Sequence, residues 1–206
     1  MRVEDLFDPE GHEAVRGAVQ EAERHTSGEI VPMVVEKSDD YPGVRAVSAA
    51  VLAFAAGVVV LASPLDARLW LPPVQLVAFA AGYVIAGWPP VLRLLLPVSI
   101  RTTRVHQAAH LAFLEEGIVE TRDRTGILLY ISLLEHRVEV VADRGIDERV
   151  QEGTWEGVVR LILDGIRRRR AEEGLVDAIR LCGEILAVQF PPRPDDTDEL
   201  PDRLRT

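Results

Sequence analysis

His106 and His110 stand four residues apart, the spacing at which two imidazoles on one helix can share a zinc ion. A zinc protease helix places Glu directly after the first His; Gln107 occupies that position, so the general base is missing and a surface or packing role suits the pair better. A Gly-rich phosphate loop, a Gly-x-Ser-x-Gly elbow and a Cys/His nucleophile pair are all absent from the sequence, and nothing in it indicates a covalent mechanism. What remains are acids at the ends of short apolar runs, Glu29, Asp123 and Asp143, with Thr125, Arg124 and Arg144 beside them. Carboxylate and loop carbonyl oxygens suit a hard cation such as Mg²⁺ or Ca²⁺, and guanidinium groups suit an anion or an acidic partner. Ordinary strand ends carry the same residue types as caps and loop residues, with the arginines pairing the acids.

Short elements must position these groups. Asp8-Pro9 opens a helix, with Pro at its first position and an apolar staple from Leu6 and Phe7. Ala14, Val15, Ala18, Val19 and Ala22 then recur at helical spacing, and Gly28 closes the segment. Glu29 to Glu36 is short and rich in β-branched residues, which reads as a buried strand; Pro32 restricts it to a sheet edge or a bulge. Downstream, the pattern predicts a helix over Thr102 to Glu116, with Val105, Ala108, Ala109, Ala112 and Phe113 inward. Two strands follow, Ile127 to Ser132 and Arg137 to Ala142, separated by about four residues and hence antiparallel. Thr154 is placed to cap a third helix that ends near Arg167 to Arg170. Gly174 then separates it from a fourth, Leu175 to Gln189. The four arginines read as a solvated helix end complementing the dipole, with lipid headgroup contact as the lesser reading. The tail from Pro191 carries four prolines and many acids and reads as an extended arm.

Between the first strand and the second helix lie two apolar runs. No charged residue occurs between Arg45 and Asp66, nor between Arg68 and Arg93. Each run exceeds the roughly 20 residues needed to cross a bilayer core of about 30 Å. Trp70 and Trp88 sit about 27 Å apart along a helix of that rise, one at each interface. Pro72, Pro73, Pro89 and Pro90 fall where they can open or close a helix. The seven-residue link from Ala62 to Arg68 forces a hairpin. Lys37, Arg45, Arg93, Arg101 and Arg104 flank its terminal side and only Arg68 its turn, so the positive-inside rule predicts a multi-pass protein of the cell inner membrane with both termini cytoplasmic.

Composition narrows the functional classes. The chain has 206 residues, 48% of them apolar, and a formal net charge of -10. That balance argues against nucleic acid as a partner, since a phosphate-tracking surface needs clustered Lys and Arg. Cys182 is the single cysteine, so no disulfide framework exists. Met1-Arg-Val-Glu-Asp5 lacks an apolar signal region.

A lone helix and strand before the hairpin cannot bury their apolar faces, so the two flanks must form one body. The domain plan is therefore a split α/β domain, 1–43 and 98–190, a transmembrane helical hairpin over 44–97, and an extended acidic tail over 191–206. Three stretches of that body, Thr26-Ser-Gly-Glu-Ile-Val31, Asp123-Arg-Thr-Gly-Ile-Leu-Leu129 and Arg137-Val-Glu-Val-Val-Ala-Asp-Arg-Gly-Ile146, with Trp155 and two helices downstream, resemble the TPM domain family. The resemblance implies a small sheet between helices, divalent-metal binding in some members, acid phosphatase activity in others, and assembly or repair roles in the rest. It implies further that the first strand runs parallel to the second, which would gather Glu29, Asp123, Thr125 and Asp143 at one sheet end; Glu29, Asp123 and Asp143 would supply a Ca²⁺ or Mg²⁺ site, with Thr125, Arg124 and Arg144 holding an anion or partner beside it. No organic cofactor is implied. The leading reading is a membrane-anchored, non-enzymatic binding or assembly module with the bilayer and a protein as partners; a metal-dependent acid phosphatase is the alternative, and the question of catalysis stays open.

Overall fold

The computed structural model describes residues 3–151, 153–192 and 200–206 and divides the chain into two compact units, Met1–Ser38 with Thr102–Thr206, and Asp39–Arg101. In the first unit α1 (Pro9–Glu23) leads to β1 (Glu29–Val35). After the second unit come α5 (Val98–Glu115), within which the unit boundary falls, β2 (Gly126–Ser132), β3 (Arg137–Ala142), the short α6 (Arg144–Asp147), α7 (Glu156–Arg167) and α8 (Ala171–Gln189). The strands form one mixed sheet in the order β1-β2-β3, with β1 parallel and β3 antiparallel to β2. This is the expected α/β class, a small sheet between helices.

Strand periodicity explains the layers, because successive side chains point to opposite faces. Ile30, Val34, Ile127, Leu129 and Ile131 face a core built with α1, α7 and α8. Val31, Leu128, Tyr130 and Val141 face the other way, onto Val105, Ala109, Ala112 and Phe113 of α5. Covered on both sides, β2 is buried at every residue, which is why its sequence shows a continuous apolar run instead of an alternation.

Pro32 sits on an edge strand, and its neighbours show why it is tolerated. The N–H of Val34 donates to Arg205 O at 2.9 Å, and the N–H of Ile30 donates to a Glu23 carboxylate oxygen at 2.8 Å. Residues 30, 32 and 34 share one direction along a strand, so the N–H that Pro32 lacks would point outward, away from β2. Arg205 reaches this edge because the chain returns there. Residues 200–206 run back to the sheet with Leu204 only 6% exposed and Arg205 bridged to Met33. The extended arm read over 191–206 thus ends on the sheet, while 193–199 lie outside the described residues.

Three helix boundaries differ from the sequence expectation. First, α1 stops at Glu23, and Gly28 instead lies beside Leu186, where a Cβ would come within 3.0 Å of its side chain. The Thr154 hydroxyl donates to Gln151 O, so α7 begins after Trp155 without a side-chain cap. Finally, Gly174 lies inside α8; the break falls at Arg168 to Arg170, with Arg169 at φ +59°. Arg167 and Arg170 pair with Asp164 and Glu173 at 3.3 and 2.7 Å, exposed helix-end contacts of the kind that contribute little to stability.

The second unit is built on α2 (Pro42–Ala62), α3 (Ala67–Ala86) and the short α4 (Pro89–Leu95). Helices α2 and α3 form an antiparallel hairpin. A Cβ on Gly82 would stand 3.0 Å from the Ala49 Cα, and one on Gly57 would stand 2.7 Å from the Gln75 amide nitrogen. Small residues thus let the helices approach closely and give the polar group of α3 room against its partner helix. Arg45 closes the foot of the hairpin, its guanidinium 4.2 Å from the Tyr83 ring centre. Asp66 caps α3 through the Arg68 N–H at 3.0 Å, so α3 starts early; Pro72 and Pro73 lie inside it, while Pro89 and Pro90 open α4. Both α2 and α3 are long and apolar enough to cross a membrane.

Candidate functional site at the end of the sheet

The predicted site residues converge on the edge of the sheet where β2 begins. Glu29 pairs in register with Gly126, and the Asp143 N–H donates to Gly126 O at 2.9 Å, so Glu29 and Asp143 flank Gly126 on the outer two strands. The Glu29 N–H donates to Thr125 O at 3.2 Å. Gly145 lies so close to the loop before β2 that a Cβ there would come within 2.6 Å of the Asp123 and Arg124 carbonyl oxygens. Only glycine permits this approach, and it brings Arg124 to Asp143, with Nε 3.1 Å from Oδ2.

Among the described residues no three His, Cys, Asp or Glu side chains are grouped so that they could hold a metal ion. Glu29, Asp123 and Asp143 come to one end of the sheet without forming such a group. Across the sheet end the backbones of Glu29 and Asp143 lie two strand spacings apart, about 10 Å. The space over the intervening Gly126 belongs to Ile118, whose carbonyl oxygen would be 2.9 Å from a Cβ there. Asp143, 4% exposed, is also committed within the chain. One oxygen accepts the Arg144 N–H at 2.7 Å and caps α6; the other faces Arg124.

The remaining predicted residues have local duties too. The Thr125 hydroxyl is buried and donates to Ser27 O at 2.9 Å, so it is not presented as a nucleophile. Arg124, at φ +59°, also donates through Nη1 to Val119 O at 2.7 Å. Arg144 turns to Glu148 at 2.7 Å instead of toward a shared anion site. Asp123 is exposed beside them.

Two clusters bring together residues that the sequence patterns did not link. The first joins α5 to the sheet: His106 Nδ1 lies 2.8 Å from a Glu139 oxygen, and the His106 and His110 rings meet edge to face with centroids 4.3 Å apart. Beyond them, Asp147 is held above the usual carboxylate range by burial, then by the Asp143 charge, with His110 opposing. The alternation Arg137-Val-Glu-Val-Val141 was the available signal, since it puts Glu139 on the α5 face of β3. The second cluster lies at the opposite end of the sheet. Ser132 Oγ donates to the buried Glu135 carboxylate, which also accepts the Ser38 N–H at 3.1 Å. Ser38 Oγ joins Ser132 Oγ at 2.9 Å and receives the Tyr130 hydroxyl at 3.3 Å. Burial, then the Glu135 charge, pushes the Tyr130 phenol up against the opposing Ser38 hydrogen bond.

Comparison with known proteins agrees with this architecture. The family model of the TPM domain matches residues 96–185, the part of the chain that carries the second and third strands and the helices after them. No curated protein sequence matches. Among solved structures, the NMR structure of BA42 protein from the psychrophilic bacterium Bizionia argentinensis is similar at a TM-score of 0.62, with 20% identity over 99% of this chain and 97% of that one; at this identity the likeness is one of fold. The resemblance first visible in Asp123 to Leu129 and Arg137 to Ile146 lies within residues 96–185, the stretch that the TPM domain model matches.

Proposed function

We propose that this chain is a non-enzymatic binding module anchored in the cell inner membrane, multi-pass through the α2–α3 hairpin, with both termini on the cytoplasmic side and a protein as its partner. On this reading the hairpin, 44–97, is an insertion into a domain built from 1–43 and 98–190. The observation that carries the anchoring is the outward direction of the apolar side chains: Phe54 is 70% exposed and Leu76 71%. A core helix in a soluble protein turns such groups inward; these two helices turn them to the surroundings, as lipid-facing helices do. The asymmetry between Lys37, Arg45, Arg93, Arg101 and Arg104 on one side and Arg68 on the other supports the orientation.

Binding rather than catalysis is supported by the commitments at the sheet end, where Thr125 is spent on Ser27 O and Asp143 on the α6 cap and Arg124. The test has two parts. After expression in a bacterial host, the protein should stay in the membrane pellet through an alkaline carbonate wash, and a single cysteine introduced near either terminus should be shielded from an impermeant thiol reagent in intact cells. Release by carbonate would overturn the anchoring. Purified protein should leave a phosphate monoester intact with Mg²⁺ or Ca²⁺ present; turnover that Asp143→Ala abolishes would replace this reading with a metal-dependent phosphatase.

A further inference from the structure

The outer edge of β1 already holds an extended segment, and the way it holds it describes a recognition site. Arg205 lies parallel to β1 opposite Met33, its N–H donating to Pro32 O and its carbonyl accepting from the Val34 N–H, both at 2.9 Å. Leu204 enters the core that contains Ile30 and Val34. The next side chain points the other way, and Arg205 Nε comes within 3.0 Å of a Glu116 oxygen just past the end of α5, with the two side chains 10% and 30% exposed. Backbone bonds to an edge combined with alternating side-chain receptors are the features by which sheet edges read extended peptides.

The dock is also bounded. Pro32 offers an acceptor but no donor, and the Ile30 N–H is closed by Glu23, so a longer ladder along this edge would lack two of its donors. A segment held by two backbone bonds, one buried leucine and one partly exposed ion pair opens more readily than the central ladder. Being part of the same chain, it competes with any ligand in trans for the same backbone groups.

We propose that the outer edge of β1 is the docking site for a partner protein's extended segment carrying an apolar residue followed by Arg, and that Leu204 and Arg205 are its resident competitor. This rests on the binding-module reading and names the partner chemistry for it. The apolar residue fills the Leu204 position, the Arg meets Glu116, and the backbone takes Pro32 O and the Val34 N–H.

The probe is a fluorescent peptide of residues 201–206, followed by polarisation against the full-length protein in detergent. Leu204→Asp with Arg205→Glu in the full chain frees the edge. The freed protein should bind the peptide at least tenfold more tightly than the unaltered protein, and its Val34 amide should exchange faster with solvent. Adding Glu116→Lys should remove the tenfold gain, and a peptide with Glu in place of the Arg205 equivalent should restore it, an outcome that an unfolded protein would not give. No gain in affinity, no change in Val34 exchange, or loss without charge-swap recovery would each overturn the proposal. Membrane retention and the silence toward phosphate monoesters do not depend on these variants, so the wider reading stands or falls separately.

Discussion

Gly165 and Gly174 bring α7 and α8 into backbone contact: a Cβ on either glycine would stand 2.8 Å from the Cα of the other. Gly174→Ala must push the helices apart or displace the Leu161 carbonyl, also 2.8 Å away, and should destabilise by about 1–3 kcal/mol. Gly17→Ala is the contrast, because nothing lies within 4 Å of that position on α1, and replacing a mid-helix glycine should stabilise by roughly 0.5–1 kcal/mol. Urea unfolding midpoints of the two variants in detergent should move in opposite directions.

Glu135 is the buried hub between Ser38 and Ser132. Glu135→Ala removes the acceptor for both and should cost about 1–3 kcal/mol, read as a lower unfolding midpoint with an unchanged slope. The same cluster predicts an alkaline effect. The Tyr130 phenol is raised above its ordinary value of 10.0, so the folded protein holds that proton longer than the unfolded chain. Stability contributed by this group should fall as pH rises from about 10 through the folded value. Phenolate absorbance should show one late-titrating tyrosine, advanced only in part by Glu135→Gln, because burial is the larger cause.

Asp147 should titrate above its ordinary value of 3.8 in a carboxyl-detected NMR experiment. Since burial is the first cause and the Asp143 charge the second, Asp143→Asn should move the midpoint only part of the way back. A raised folded value means this group's contribution to stability is present below pH 3.8 and is lost as pH rises through the folded midpoint. A midpoint unmoved by Asp143→Asn would refute the coupling.

Cys182 is fully buried on α8, and burial pushes its thiol well above the ordinary range. Thiolate is the reactive form, so a soluble disulfide reagent at pH 8 should label the folded protein only at the rate of unfolding, and label it at once in denaturant. Rapid labelling of the native protein would contradict the packing between α8 and the sheet.

What the sequence made legible was whatever repeats locally. Glu29 to Glu36 declared a strand by its β-branched content and Ile127 to Ser132 by its apolar run, and Val105 to Phe113 declared one face of α5 by spacing. Convergence of Glu29, Thr125 and Asp143 on one sheet end came only from the family resemblance, which implied a first strand parallel to the second. Whether their side chains meet was a different matter, since Gly126 and Ile118 decide it and neither carries a chemical signal. Glu135 read as a turn residue because its partners are Ser38, far away in the chain, and Ser132, whose orientation depends on the sheet. Gly174 read as a break because a glycine's packing role shows only once the facing helix, with Gly165, is in place.

Pro32 has a last consequence at the scale of many molecules. Exposed strand edges are templates on which copies of one chain can polymerise, and confinement to a surface raises the frequency with which copies meet. Along β1 a missing donor, a carboxylate laid over its neighbour and a returning tail leave no uninterrupted row of backbone groups for a second sheet to extend. Crowding should therefore leave this flank of the sheet resistant to fibre growth.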